Sequence, residues 1–251
     1  MIKLSAIILT KNSEAFIADC LDSVSFCDEV IVIDDNSIDR TPDLARHMGA
    51  HVFADESKSF AEKRNFGLKK TKGKWVLYID SDERVSFELR KSIEEIIGKE
   101  RSTVSAYRIK RKNFYFGDHE WPYIEKLERL FKKNKLEEWY GDLHETAKVD
   151  GEIEEIEDGF LLHHTHRDLT SMVEKTIKWS DVEADLRLKA NHPKMSGWRF
   201  FRVMLTGFYG SYIKQEGWRA GTVGLVESIF QAFSMFITYA RLWEKQNKQY
   251  K

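Results

Sequence analysis

The sequence predicts an α/β fold: a mixed, mainly parallel sheet with flanking helices, followed by a C-terminal helical extension. Three observations carry this. Short runs rich in Ile and Val alternate with longer amphipathic segments from residue 3 to about residue 110. From Asp168 onward only helical spacing is found. And 251 residues, 42% of them hydrophobic and 13% aromatic, can bury one substantial core, or one domain with a helical appendage.

Taken in order, strands are expected near 4 to 9, 29 to 34, 50 to 54, 75 to 79 and 104 to 110. Between them Glu14 to Val24, Ile38 to Met48, Ser59 to Lys70 and Ser86 to Ile97 have helical spacing, with Ser13, Asp39 and Ser86 placed as capping or first-turn residues. The stretch from about 111 to 165 is aromatic and turn-rich, with an acidic run from Glu137 to Asp158, and is expected to form short antiparallel strands. Helices then run to about Ala190, from Trp198 to Gln215 and from Thr222 to Gln246, broken at Asn191-His192-Pro193. The chain accordingly divides into 1–110, 111–167 and 168–251, the last a helical region that could touch a membrane surface or an oligomer partner.

Composition narrows the function. The net charge of -1 gives no overall nucleic-acid footprint. Cys20 and Cys27, without a second pair or a His at ligand spacing, support neither a disulfide framework nor a zinc site, and fit a reducing cytoplasm. The N-terminus runs straight into a strand-like segment without the pattern of a secretion signal. The longest charge-free apolar stretch, Ser228 to Ala240, has thirteen residues, short of the roughly 20 that span a bilayer as a helix. The chain can therefore lie on a membrane but is not expected to cross it.

The strand ends read Thr10-Lys11-Asn12, Asp34-Asp35-Asn36-Ser37 and Asp80-Ser81-Asp82-Glu83. In parallel sheets ligands sit in the crevice outside the carboxyl ends of the strands. Several acids meeting there repel one another unless a cation or donor groups compensate, and a divalent metal, Mg2+ or Mn2+ bridging phosphates, is the economical explanation. Each acid alone reads equally well as a solvated turn or cap residue. The Asp80-x-Asp82 pair stands apart because acids at neighbouring strand ends match it.

The runs Ala6 to Asn12, Val30 to Thr41, Lys63 to Gly67 and Gly73 to Asp82 resemble, in order and spacing, the nucleotide-binding half of glycosyltransferase family 2, whose fold is the A-type, Rossmann-like one. The resemblance covers about the first 100 residues. It implies a nucleoside diphosphate-sugar donor, most often a uridine one (UDP). It places Thr10 and Asp35 at the base and ribose with Asp34 beside them, and Arg64 near the base or phosphates. Asp82 would ligate the metal, while Asp80 would serve the ribose or the metal's water shell. Asn36 stands where many members have Gly, and a short polar residue tolerates left-handed backbone. The implied reaction is an inverting transfer of hexosyltransferase type, in which the metal would stabilise charge on the leaving diphosphate and one carboxylate base would take the acceptor proton; by role, 1–110 would bind the nucleotide-sugar donor and 111–167 would serve the acceptor and catalysis.

The Glu-Asp pair in which the family often places that base is not found between residues 83 and 150. Glu145, in Gly141-Asp-Leu-His-Glu-Thr146, is the candidate: His144-Glu145 resembles the His-Glu element of the subgroup that includes lipopolysaccharide core glucosyltransferases. Glu128 to Lys132 and Leu162 to Asp168 resemble the same subgroup. Asp142 is the alternative base, and Glu145 can also belong to a solvated acidic face. His144, His163 and His166 read either as hydrogen-bonded structural histidines or as neighbours of the diphosphate or metal.

Between Gly197 and Lys251 eight Lys or Arg and three Glu give a local charge of +5. In the last helix Leu225, Ile229, Phe233, Phe236, Ala240 and Trp243 share one face, and Glu227, Gln231, Ser234, Thr238, Arg241 and Lys245 line another. Such a helix packs its apolar face on the core or a partner, or docks on a membrane with neighbouring aromatic and basic residues. The subgroup resemblance points to a lipid-linked saccharide acceptor, such as lipopolysaccharide core or another cell-envelope glycan, reached from the inner face of the cytoplasmic membrane. The alternative is a non-catalytic nucleotide-sugar or membrane-binding module of a glycan assembly complex, whose sign would be loss of Asp82. A Gly-rich dinucleotide loop is absent, as are a nucleotidylyltransferase loop and the Gln-x-x-Arg-Trp element of processive synthases.

Overall fold

The structure, a computed structural model, describes residues 2–57, 59–99, 103–141, 145–165 and 168–248. In chain order the elements are β1 (Leu4–Thr10), α1 (Ile17–Ser23), β2 (Glu29–Asp34), α2 (Thr41–His47), β3 (His51–Ala54), α3 (Phe60–Lys70), β4 (Trp75–Asp80), β5 (Glu83–Val85), α4 (Phe87–Lys99) and β6 (Val104–Tyr115). There follow β7 (His119–Glu120), β8 (Glu125–Lys132), β9 (Leu136–Tyr140), β10 (Thr146–Val149), β11 (Glu152–Glu155), β12 (Leu161–His164), α5 (Leu169–Lys189), α6 (Gly197–Tyr209) and α7 (Gly221–Lys248). By packing, the chain divides into two units: Met1–Lys112 with Glu125–His163, and Asn113–Ile124 with His164–Lys251.

The first unit is the expected α/β sheet. Its strands lie in the order β3-β2-β1-β4-β8-β6-β12-β5, with β3, β2, β1 and β4 parallel and β8 antiparallel to β4. All seven residues of β1 are buried, as a strand covered on both faces requires. Alternate side chains divide between the two faces: Ala6 and Ile8 pack with Ile17 and Leu21 of α1, while Ile7 and Leu9 pack with Ala61 of α3 and Tyr78 of β4. The chain proceeds from β1 outward to β3, then returns to place β4 on the other side of β1. That reversal opens a crevice at the carboxyl edge.

Local chemistry fixes the helix starts. Ser59 and Glu62 form a reciprocal capping box at the head of α3, and the Ser86 hydroxyl accepts from Leu89 N at 3.3 Å at the head of α4. Gly67 lets α3 sit close against the sheet, since a Cβ there would lie 2.7 Å from Ile7 Cγ2 and 3.2 Å from Ile33 Cγ1. Lys63 and Arg64 lie one turn back on the same helix face.

Departures from expectation are local. A three-residue strand, β5, is inserted between the Asp80-x-Asp82 turn and α4, and pairs antiparallel with β12. The middle stretch is not wholly antiparallel: β9 and β10 pair so, but β11 lies parallel to β6.

In the second unit α5 and α6 both pack on α7, and the end of β6 pairs with β7. Asp168 caps α5, its carboxylate accepting from Ser171 N at 2.8 Å. α6 runs on through a π-helical turn, Gly210–Lys214. The last helix is oriented inside out. Glu227 and Thr238, from its polar row, are buried, and Arg241 and Lys245 pair with Asp181 of α5, each at 3.1 Å. Leu225, Ile229, Phe233, Phe236 and Trp243 face outward, 37% to 55% exposed. Packing of the apolar row on the core is thus overturned. By length and composition Gly217–Asn247 is also long and apolar enough to cross a membrane, which the thirteen-residue stretch alone did not suggest.

Candidate active site

Strand register brings the predicted residues together. Thr10 lies beside Asp34 in the β1–β2 pairing, and Leu9 beside Asp80 in the β1–β4 pairing, so the three motif ends form one row along the carboxyl edge. The Asp80-x-Asp82 turn is tied to that row twice: Ser81 N donates to Leu9 O at 3.2 Å, and the Ser81 and Ser13 hydroxyls are 2.8 Å apart.

Each acid has its own surroundings. The Asp34 carboxylate accepts from Ser37 N at 3.0 Å and from the Ser37 hydroxyl at 2.5 Å, so it shapes the turn in which Asn36 takes φ 52°. Asp35 is held between Lys11 and Lys63, both at 3.0 Å. Partial burial pushes its carboxyl up, but the two lysine hydrogen bonds outweigh this and hold it below the usual range. The buried Thr10 hydroxyl has no hydrogen-bond partner among the described residues.

Arg64 organises the floor. Its guanidinium is 2% exposed, lies 5.0 Å from the centre of the Trp139 ring, and donates from Nη2 to Asp80 at 3.1 Å and from Nε to Glu145 at 3.0 Å. Nη1 is buried without a partner among the described residues. Asp80 is bound on its other oxygen by Arg129, at 2.9 Å. Burial opposes ionisation of Asp80, yet the Arg129, Arg64 and Arg111 charges hold its carboxyl far below the usual range. Arg129 also reaches Glu83 at 3.4 Å, and Arg111 reaches Glu83 at 2.8 Å.

Asp82, its side chain 32% exposed, lies beside β12. Its Oδ2 lies 3.3 Å from Nε2 of His163 on β12, itself 12% exposed. That spacing suits two neighbouring ligands of one ion at roughly 2.1 Å each, and a mixed carboxylate and imidazole set suits Mn2+ better than the all-oxygen preference of Mg2+. Among the described residues no group of three His, Cys, Asp or Glu side chains converges. Asp142, His144 and His166 lie outside the described residues.

Several contributors were not singled out from the sequence: Arg129, Arg111 and Lys63, and Asn65, whose amide donates to Trp139 O and accepts from Trp139 N, both at 2.8 Å. That double bond pins β9 to α3 just before the Glu145 loop. The signal for Asn65 was its place in the Lys63-to-Gly67 run. For Arg129 it was its place in the Glu128-to-Lys132 run; for Arg111, between Lys110 and Lys112 on a strand, there was none.

Comparison with known proteins now decides the family. The model described as "Glycosyl transferase family 2" matches residues 5–149. The chain belongs to glycosyltransferase family 2. An uncharacterized glycosyltransferase of Rickettsia typhi is 30% identical over 97% of this chain and 88% of its own length. The lipopolysaccharide core biosynthesis glycosyltransferase LpsC of Rhizobium meliloti is 25% identical over 96% of this chain and 92% of its own. Among solved structures, S. aureus TarS 1-349 in complex with UDP-GlcNAc aligns over 99% of this chain and 92% of that one, with a TM-score of 0.50 and 16% identity. That likeness shows the fold. This family 2 glycosyltransferase thus carries its motif acids on the sheet edge that the fold uses as its crevice.

Proposed function

We propose that this glycosyltransferase transfers a hexose with inversion from a UDP-sugar to a lipid-linked saccharide of the cell envelope, of the lipopolysaccharide core kind, at the cytoplasmic face of the membrane. The observation that carries the reading is the convergence of Thr10, Asp35, Arg64, Asp80 and Asp82 on one sheet edge in a family 2 chain. The acceptor class is supported by similarity to LpsC along nearly the whole chain.

In this reading Thr10 and Asp35 contact the base and ribose. Lys11 and Lys63 hold Asp35 as an oriented carboxylate. Asp82 and His163 would hold a divalent cation, whose chemistry when bound is to neutralise charge on the departing diphosphate. Asp80, clamped by Arg64 and Arg129, orients the ribose side of the donor and keeps the turn that presents Asp82. Glu145, 18% exposed and oriented by Arg64 Nε, takes the proton of the attacking acceptor hydroxyl; Asp142 is the rival base. By role, residues 1–110 bind the donor, 111–167 serve the acceptor and the base, and 168–251 make the membrane or oligomer contact.

Calorimetric titration of UDP with and without Mn2+, on wild type and Asp82→Ala, tests the donor site. Binding should strengthen with Mn2+, and the variant should lose about tenfold or more of that affinity. If no nucleoside diphosphate binds with metal present, the donor assignment fails. Glu145→Gln should lower kcat by about 10² to 10⁴, and an unchanged kcat would transfer the role of base to Asp142.

A further inference from the structure

From the exposed faces of the second unit we infer that α6 and its π-helical continuation lie flat in the headgroup layer of an anionic bilayer, as an in-plane anchor. This deepens the membrane placement proposed above and rests on it. Trp198, Phe201, Leu205, Tyr209 and Ile213 recur at steps of three and four along α6 and the turn after it, and all are 46% to 68% exposed. The opposite face is the packed one, with Val203 buried and Gly207 so close to α7 that a Cβ would lie 2.9 Å from Met235 Cγ. The apolar row therefore points out of the fold, where water alone would cover it. Together with the outward row of α7 it forms apolar surface of a kind that soluble monomers rarely leave open.

Charge selects the occupant. Residues 186–215 contain no Asp or Glu, in a chain with 41 of them, yet include Lys189, Lys194, Arg199, Arg202 and Lys214, besides Arg187, which is taken by Glu183. A symmetric contact between two copies would bring this acid-free, cationic stripe against itself. Anionic lipid headgroups neutralise it instead, and the aromatic side chains suit the same layer.

Orientation follows from where the cations sit. Arg199 and Arg202 lie at the start of α6, and Lys214 at the end of its continuation, so both ends belong at headgroup level and the helix lies parallel to the surface. α7 does not carry the chain across. Its inner face holds the buried Glu227, and Lys245 is bound to Asp181 at 3.1 Å and to Asp185 at 2.5 Å. Crossing would draw α5 into hydrocarbon, with its exposed Glu174, Lys175 and Lys178.

Sedimentation with phosphatidylcholine vesicles, with and without phosphatidylglycerol, tests the inference on the full chain. Wild type should bind the phosphatidylglycerol vesicles at least about tenfold more tightly than the neutral ones, and high salt should weaken binding. Phe201→Gln with Leu205→Gln, and separately Arg199→Gln with Arg202→Gln, should each lose most of it. All four positions face solvent wholly or in part, so UDP binding by these variants should match wild type. Equal binding to both vesicle types, or to neither, overturns the inference. A concentration-dependent dimer dispersed by Phe201→Gln with Leu205→Gln assigns the stripe to a second copy. Release from cell membranes by detergent but not by alkaline carbonate would mean a spanning helix. Loss of UDP binding by wild type, with vesicle binding intact, would overturn the donor site and leave the anchor standing.

Discussion

Buried Glu83 and partly exposed Asp80 share Arg129, at 3.4 Å and 2.9 Å. Removing it leaves Asp80 to Arg64 and Glu83 to Arg111, each acid with one fewer donor against its desolvation, so Arg129→Met should cost about 1 to 3 kcal/mol, read as a lower urea midpoint. Arg129→Lys keeps the charge but not the planar fork that reaches two acids, and should fall between. A midpoint unchanged in the Met variant would show that the network contributes nothing to folding. Asp35 makes a pH prediction. Its native carboxyl is held below the usual range by Lys11 and Lys63 against the opposing effect of burial, so its stabilising effect is fully present above the unfolded value, about 3.9. It is lost as pH falls through the lower native value. The stability difference between wild type and Asp35→Asn should therefore stay level from neutral pH to about 5 and narrow below about 4. A difference that widens on acidification would reverse the sign and refute the pairing. Of these residues, Asp35 and Asp80 were legible at strand ends, whereas Arg129 stood in the subgroup-like run Glu128 to Lys132 with no role attached. Its strand, Glu125 to Lys132, mixes charge with Leu and Phe, and only the register against β4 and β6 reveals that this arginine points inward among acids.

At the scale of elements, α3 is the part whose position matters most to the site, because its first two turns carry Lys63, Arg64 and Asn65. Gly67 sets its distance from β1 and β2. Gly67→Ala should therefore cost about 1 to 3 kcal/mol through overpacking and also weaken UDP binding, as Lys63 and Arg64 are pushed off their carboxylates. Thermal unfolding with calorimetry on the same variant checks both, and a stable variant with full affinity would show that the sheet gives way instead. The strands β1 to β4 and their helices were plain in the sequence because fully buried parallel strands read as apolar runs. β5 was not, since three residues between a turn and a helix carry no period. The face of α7 was misread for a different reason: periodicity tells which residues share a face, and says nothing of which face is packed. Glu227 and Lys245 find their partners within the second unit, so there the polar row is the inner one.

Across the whole molecule, both cysteines are free and both thiols are pushed up, chiefly by burial. Cys20 is fully buried beneath the active-site turn, 3.6 Å from Asp80 O. A thiol reagent at mildly alkaline pH should leave Cys20 untouched until the chain unfolds, and should modify Cys27 more slowly than a model thiol. Mass spectrometry of the modified protein reads both, and rapid native modification of Cys20 would mean that the site opens locally. The pairing of β5 with β12 has one further consequence, for synthesis. A chain emerging from the ribosome completes β1 to β4, and with them the crevice at their carboxyl edge, while His163 is still unmade. The turn bearing Asp82 waits for a strand translated about a third of the chain later before its histidine arrives. A polypeptide cut short after the family-matched residues 5–149 would retain the crevice-forming strands and lack that half of the pair, so interrupted translation cannot release a fragment holding both.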